Sequence, residues 1–379
     1  YLDEMKIVQR VLLEFIENEV NNEETFGNVE KIFTDLKICD DKYKIKSILY
    51  LTTKISDEHH HEPNFYSKIE RIFIYFKKQI EKYFTNWEIF NICKSNKRIM
   101  LFLIEEQLLN IDDRIYEVIA TQDIYRKNKY PEYFSPEIKA FKKTNFAQKN
   151  EKMNEETTNE LPEDFYNNRK IGENESFICK LIREDLVTEF ITYYNRTNFS
   201  LETNIQQSIY ETNSFLTNEE KVSLIEYAAF CGSIQIFNYL KLNEIKLNSS
   251  LLLFSIHGKN AEIIQILEEN NIEEISSNLY ERRFLESIKC HHNDIAEYFL
   301  NNISNVKDLD NSKKITIILK HYNFAYIENS MINQSSFIYL CGYDYYIIVD
   351  NILKKQDIEL NKIDILKTFF YDDLISNEL

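Results

Sequence analysis

Apolar residues recur at helical spacing from the start of the chain. Ile7, Val11 and Phe15 fall on one predicted helix face, Ile45, Ile48 and Leu51 on a second, and Ile69, Ile72, Phe73 and Phe76 on a third. These are the three- and four-residue steps of an amphipathic stripe. From Arg126 to Asn174 the pattern lapses. Tyr130-Pro131, Ser135-Pro136 and Leu161-Pro162 interrupt helices, because proline lacks an amide proton and disfavours helical geometry in the residue before it. The stretch EKMNEETTNELPED between them is polar and acidic. The expected organisation is a helical N-terminal region over 1–126, whose helices either pack on one another or form degenerate repeats, a linker or ordered crossing segment over 127–174, and renewed helix pairs over 175–379.

Within the last segment, YAAFCGSIQIFNYL (Tyr227 to Leu240) reads as two short helices around a tight turn. Ala228 and Ala229 permit close approach of a neighbouring helix, Gly232 and Ser233 break the first helix, and Ile234, Ile236, Phe237 and Leu240 give the second an apolar stripe. The outline returns in FSIHGKNAEIIQIL (Phe254 to Leu267) and ESIKCHHNDIAEYF (Glu286 to Phe299). A unit repeating at roughly 20 to 50 residues is the signature of a stack in which each pair covers its neighbour's apolar face. The expected fold is all-α, a solenoid of helix-turn-helix units. Weaker copies are expected at Phe90 to Leu103, Phe177 to Tyr194, Ile315 to Ile332 and Tyr339 to Leu353.

On Ser223, Ile225, Glu226, Ala228, Ala229, Gly232, Ser233 and Ile236, the chain resembles an ankyrin repeat. With SIYETNSFL at Ser208 to Leu216 and HHHEPNFYSKIERI at His59 to Ile72, it is similar to the large family of divergent ankyrin-repeat proteins expanded in the protist Trichomonas. The family's Thr-Pro-Leu-His start is replaced by Ser-Leu-Ile-Glu, in which Ser223 and Glu226 form an S-x-x-E capping box. The first spacing between units is shorter than the usual ankyrin period of about 33 residues, so the finger between them is expected to be trimmed. The resemblance implies that Tyr227, Phe230, Phe254, His257, Glu286, Lys289, Tyr339 and Tyr343 line the concave face. Aromatic residues gathered on an exposed face are enriched at binding hot spots, although the same rings can instead cover the N-terminal helices or pack between repeats.

Composition narrows the partners. With 45 basic and 62 acidic residues the chain carries a net charge of −17, which repels phosphate backbones and anionic membranes, so neither nucleic acid nor a membrane is an expected partner. No apolar run reaches the roughly 18 residues of a membrane span, and the N-terminus lacks the features of a secretory signal, so a cytoplasmic location is expected. The cysteines at 39, 93, 179, 231, 290 and 341 show no paired spacing and read as reduced thiols. Cys231 and Cys290 fall at equivalent positions in their units.

The candidate chemistry is sparse. His59, His60 and His61, flanked by Glu58 and Glu62, are metal-ligand types, yet adjacent side chains point in different directions and the run reads as a polar connection. Cys290, His291 and His292 sit at a repeat turn and carry the same two readings. Stacking of successive units lets Cys231, His257 and Cys290 approach one another, but no nucleophile signature surrounds any cysteine. Nucleotide-binding loops are missing, and the chain has only 5 glycines from which to build one. The expected function is non-enzymatic protein binding, without cofactor, metal or small-molecule substrate, by a scaffold or adaptor. The alternative is a recognition or regulatory subunit whose catalytic partner is another chain.

Overall fold

A computed structural model describes residues 1–18, 23–58, 64–121, 129–148, 161–270, 279–302 and 311–355. Among these residues there are 23 α-helices and no strand, with one isolated bridge between Asn204 and Ser223. No helix is long and apolar enough to cross a membrane.

In the C-terminal half, six short helices lie side by side: Phe177–Arg183, Leu224–Cys231, Leu251–Gly258, Leu279–Lys289, Asn311–Lys320 and Gln334–Gly342. Behind the first three run Val187–Thr197, Ile234–Leu242 and Ala261–Glu269, each packed on the next. Every inner helix ends in the same way. Asp185, Gly232, Lys259, His291, Tyr322 and Asp344 take left-handed backbone angles, with φ between 48° and 68°. The chain then turns back. At five of these turns the next amide reaches a carbonyl five residues earlier: Leu186 to Leu181, Ser233 to Ala228, His292 to Ser287, Asn323 to Ile318 and Tyr345 to Leu340. Such bonds satisfy carbonyls that a helix end otherwise leaves unpaired.

After five of the six left-handed positions, the side chain of the next residue also reaches the neighbouring unit. Ser233 Oγ donates to the Ile182 carbonyl, Asn260 Nδ2 to Gly232 at 2.9 Å, Asn323 Nδ2 to Ile288 at 3.0 Å and Tyr345 Oη to Leu319 at 3.0 Å. His292 Nδ1 lies 2.9 Å from the Ile256 carbonyl. A ladder of side chains thus locks each turn to the one before it. Asp185 adds a further link, accepting from the amides of Gln235 and Ile236 at 3.0 Å each.

The tightest junction is the one most visible in the sequence. Ala228 and Ala229 are fully buried, and a Cβ on Gly258 would stand 2.2 Å from the Ala229 carbonyl oxygen and 2.7 Å from the Gly232 amide nitrogen. Two backbones touch there. The Ser223 and Glu226 capping box is formed, and the Glu226 carboxylate also accepts from Ser250 Oγ at 2.5 Å. One carboxylate therefore caps its own helix and holds the start of the next unit.

The N-terminal helices cover the inner row. Leu2–Glu17 packs on the short turn Phe324–Tyr326, and one continuous core joins Met5, Val8, Ile48 and Leu51 to Ile256, Ile288, Ile318 and Tyr345. A second core fills the units around Leu224, Ala228, Ile236 and Ile263. Buried Gln9 links the two halves of the chain: Nε2 donates to Asn323 Oδ1 at 2.8 Å and lies 3.0 Å from His291 Nδ1, while Oε1 accepts from the Ala325 amide at 2.8 Å. Stacked Tyr50 and Tyr322, with centroids 4.9 Å apart, extend the same seam.

The expected lapse over 127–174 is corrected in part. Tyr130–Tyr133, Ser135–Gln148 and Phe165–Ile171 are helical. Pro131 and Pro136 occupy first turns, where a missing amide proton removes no helical bond. Arg169 ties the segment together by a paired contact to Glu137 at 2.7 and 2.9 Å.

Two glycines should respond in opposite directions. Gly258→Ala drives a methyl group into backbone and should cost about 1–3 kcal/mol or more. Gly27, in the helix Glu23–Asp35, has nothing within 4 Å of a built Cβ, so Gly27→Ala should gain ~0.5–1 kcal/mol. Urea denaturation of both variants checks this; equal effects at the two sites would contradict the close backbone junction.

A buried histidine sets a pH dependence. Burial, reinforced by the ammonium groups of Lys54, Lys289 and Lys320 and by His291, holds His321 well below its ordinary 6.5. Its Nδ1 meets no hydrogen-bond partner among the described residues. As pH falls through the unfolded value the unfolded chain takes up a proton that the folded ring refuses, so this contribution is complete above about pH 6.5 and declines below it. His321→Asn should therefore lose less stability than the unsubstituted chain between about pH 7.5 and 5.5. Parallel losses in denaturant titrations at the two pH values would rule this out.

Candidate functional site

The eight residues expected on an open concave face are not exposed together. Tyr227, Phe230, Phe254, His257 and Glu286 are buried, and Lys289, Tyr339 and Tyr343 are half-buried. The expectation of an open face is corrected by what lies on it. Phe215, from the short helix Ser214–Asn218, stands 4.2 Å from the His257 ring, 4.8 Å from Phe254 and 6.2 Å from Phe230. Arg183 Nη1 donates to Tyr227 Oη at 3.0 Å. Tyr227, Phe230 and Phe254 belong to the core within the units, whereas Tyr339 and Tyr343 pack on the core shared with the N-terminal helices. The eight therefore do not make one patch.

What the structure does bring together is a buried polar centre. His257 closes the Leu251–Gly258 helix; Glu286 and Cys290 lie one helical turn apart on and just beyond Leu279–Lys289, the Cys290 amide donating to the Glu286 carbonyl at 3.0 Å. His257 Nε2 is 3.0 Å from Glu286 Oε1. Cys290 Sγ is 3.4 Å from His257 Nδ1 and 3.6 Å from Nε2. The donor atoms of the three residues all lie within 4.8 Å of one another. Around them, Lys289 Nζ donates to Glu286 Oε2 at 2.9 Å, the Glu58 carbonyl lies 3.4 Å from His257 Nδ1, and Ser214 Oγ donates to Glu58 Oε1.

The charge states follow from these neighbours. Burial alone would raise Glu286, but the hydrogen bond from His257 and the Lys289 ammonium outweigh it and hold the carboxyl at about 2. Glu58 moves the other way. Burial lifts it above the usual carboxylate range and the nearby Glu286 adds to the rise, against the pull of His257, Ser214 and Lys289. Burial, with Glu286 and Glu58, pushes the Cys290 thiol far up. A nucleophilic cysteine needs a lowered pKa and an approach path. Cys290 is 0% exposed, and its sulfur sits almost equally far from both ring nitrogens rather than in line with one. The trio resembles a Cys-His-carboxylate relay in composition and not in operation.

Other pairings from the sequence come apart. Cys231 does not join His257 and Cys290; it lies in the other core, near Arg183 and Cys179. Cys290, His291 and His292 face three different partners, respectively His257, Gln9 and the Ile256 carbonyl, so they form no common ligand set. His59, His60 and His61 lie outside the described residues. The cysteines are free thiols.

Glu58, Ser214 and Phe215 were missed as members of this centre. Ser214 stands 156 positions from Glu58, and no local pattern announces such a contact. The Glu286 and Cys290 pair was findable: a carboxylate and a thiol four residues apart on one helix face, with a histidine at the end of the preceding inner helix. No family model, curated protein or solved structure matches this chain.

Proposed function

We propose that the chain is a non-enzymatic protein-interaction scaffold built from divergent ankyrin-like helix pairs, and that it docks its partner on the outer helices. The observation that carries this reading is the ladder from each turn to the turn before it. It fixes the pairs as one frame, so a partner is met by a surface already ordered, with little entropy lost on association. The inner face is filled by the protein's own N-terminal helices, which leaves the outer face as the docking surface.

Chemistry favours a basic partner. The outer helices Ala261–Glu269 and Asn293–Asn302 carry Glu262, Glu268, Glu269, Asp294 and Glu297 and neither Lys nor Arg. Half-exposed Tyr298 stands beside them, its hydroxyl donating to Glu268 at 2.8 Å. Acidic groups around an aromatic anchor steer and select a positively charged protein surface.

Affinity capture with the full chain tests the reading when repeated on Glu262→Lys/Glu269→Lys/Glu297→Lys, with the exposed Glu163→Lys as control. Three rim charges at ~0.2–1 kcal/mol each should weaken the principal partner about 10-fold, with strong salt dependence, while helical CD is unchanged. Retention of every captured protein by the triple variant would refute the outer acidic face.

A further inference from the structure

We propose that His257, Glu286 and Cys290 form a buried structural site for one zinc-class divalent cation. The donor set is one imidazole nitrogen, one carboxylate oxygen and one sulfur, a combination that suits zinc and discriminates against magnesium and calcium, which take oxygen ligands. The spacing fits. Zinc bonds of about 2.0–2.3 Å in tetrahedral geometry place pairs of donor atoms about 3.3–3.6 Å apart. His257 Nε2 and Cys290 Sγ are 3.6 Å apart, and His257 Nε2 and Glu286 Oε1 are 3.0 Å apart. An opening of a few tenths of an ångström between nitrogen and oxygen, with the carboxylate oxygen and the sulfur brought together from a separation within 4.8 Å, admits the ion.

The surroundings are those that orient metal ligands. Lys289 holds Glu286 by Oε2 and leaves Oε1 for the cation. The Glu58 carbonyl faces His257 Nδ1 and would keep a proton there when the cation displaces the one that Nε2 shares with Glu286. Phe215 and Phe230 flank the imidazole at 4.2 and 5.3 Å and exclude water. The ligands come from two packed helices, so little ordering remains to be done on binding. Zinc's two charges are met by the Glu286 carboxylate and by the thiolate that Cys290 forms as its proton leaves to solvent. The Glu58 carboxylate, buried next to this centre and bonded to Ser214 Oγ, would supply a fourth donor by turning from Ser214 toward the ion. A closed four-donor site is structural rather than catalytic. Here it would pin two consecutive inner helices to the end of the helix Lys42–Glu58.

The test uses the untagged full chain, purified without chelator and analysed for metal by mass spectrometry. About one zinc per chain is expected, retained when His59, His60 and His61 are all replaced by serine and lost in Cys290→Ser. Zinc removal should lower the melting temperature by several degrees or more, as loss of any ligand specific to the folded state does. Cobalt(II) added to the metal-free wild-type chain gives a reading that does not depend on whether Cys290→Ser folds. A thiolate-to-cobalt charge-transfer band together with the visible bands of a tetrahedral site supports the proposal. A folded chain that takes up neither zinc nor cobalt, zinc that disappears with the histidine run, or a cobalt spectrum without the thiolate band overturns it.

Discussion

A side chain in each hairpin turn bonded to a carbonyl of the preceding unit is the interaction on which the rest of the molecule depends. A short helix pair cannot bury its own apolar stripe, and its inner helix ends with unpaired carbonyls. Stacking solves the first problem and brings the second to a head, because those carbonyls are then removed from water. Leaving a buried acceptor without a donor costs about 1–3 kcal/mol. The left-handed residue redirects the chain so that the following side chain points at the neighbour, and the donor arrives from there. Register between units is thus set by hydrogen bonds as well as by packing.

That constraint explains how much of the fold was legible. Tyr227 to Leu240 stood out because Gly232 and the two alanines mark a junction where backbones touch, and only small residues fit. The other turns place Asp, Lys, His, Tyr and Asp in left-handed geometry, a conformation these residues adopt less readily than glycine. The ladder position is filled by Ser, Asn, His, Asn and Tyr. These side chains share the capacity to hydrogen-bond and little else, so the device persists while its letters change. Helical periodicity survived this variation, and the turn motif did not.

The candidate site was less legible because it is made where distant segments meet. His257 and Glu286 lie on inner helices, at the positions their places in the repeating outline suggest. Their burial is not legible, because nothing between residues 1 and 126 declares that its helices lie on that row. Gln9 illustrates the difficulty: an uncharged residue in an ordinary amphipathic helix, it proves to bond three partners more than 280 positions away. Prolines act in the opposite sense, since Pro131 and Pro136 sit in the first turns of helices although proline within a helix breaks it.

The seam between the covering helices and the inner row has a physical logic of its own. An apolar stripe laid on an apolar row can slide by a turn at little cost, because hydrophobic burial is non-directional. Polar groups buried in the contact remove that freedom, since any other register leaves Gln9 and the Asn323 oxygen it bonds without their partners in a low-dielectric setting. A cation held by His257, Glu286 and Cys290 would fix the two inner helices to each other through bonds of set length and angle, and with Glu58 as a fourth donor would fix them to the covering helix Lys42–Glu58 as well. The centre that has the residues of an enzyme and the burial of a core is best understood through that role. Through the Glu58 carbonyl beside His257 and the bond from Ser214 to Glu58, it joins the inner row to the helix Lys42–Glu58 and to the segment that covers it.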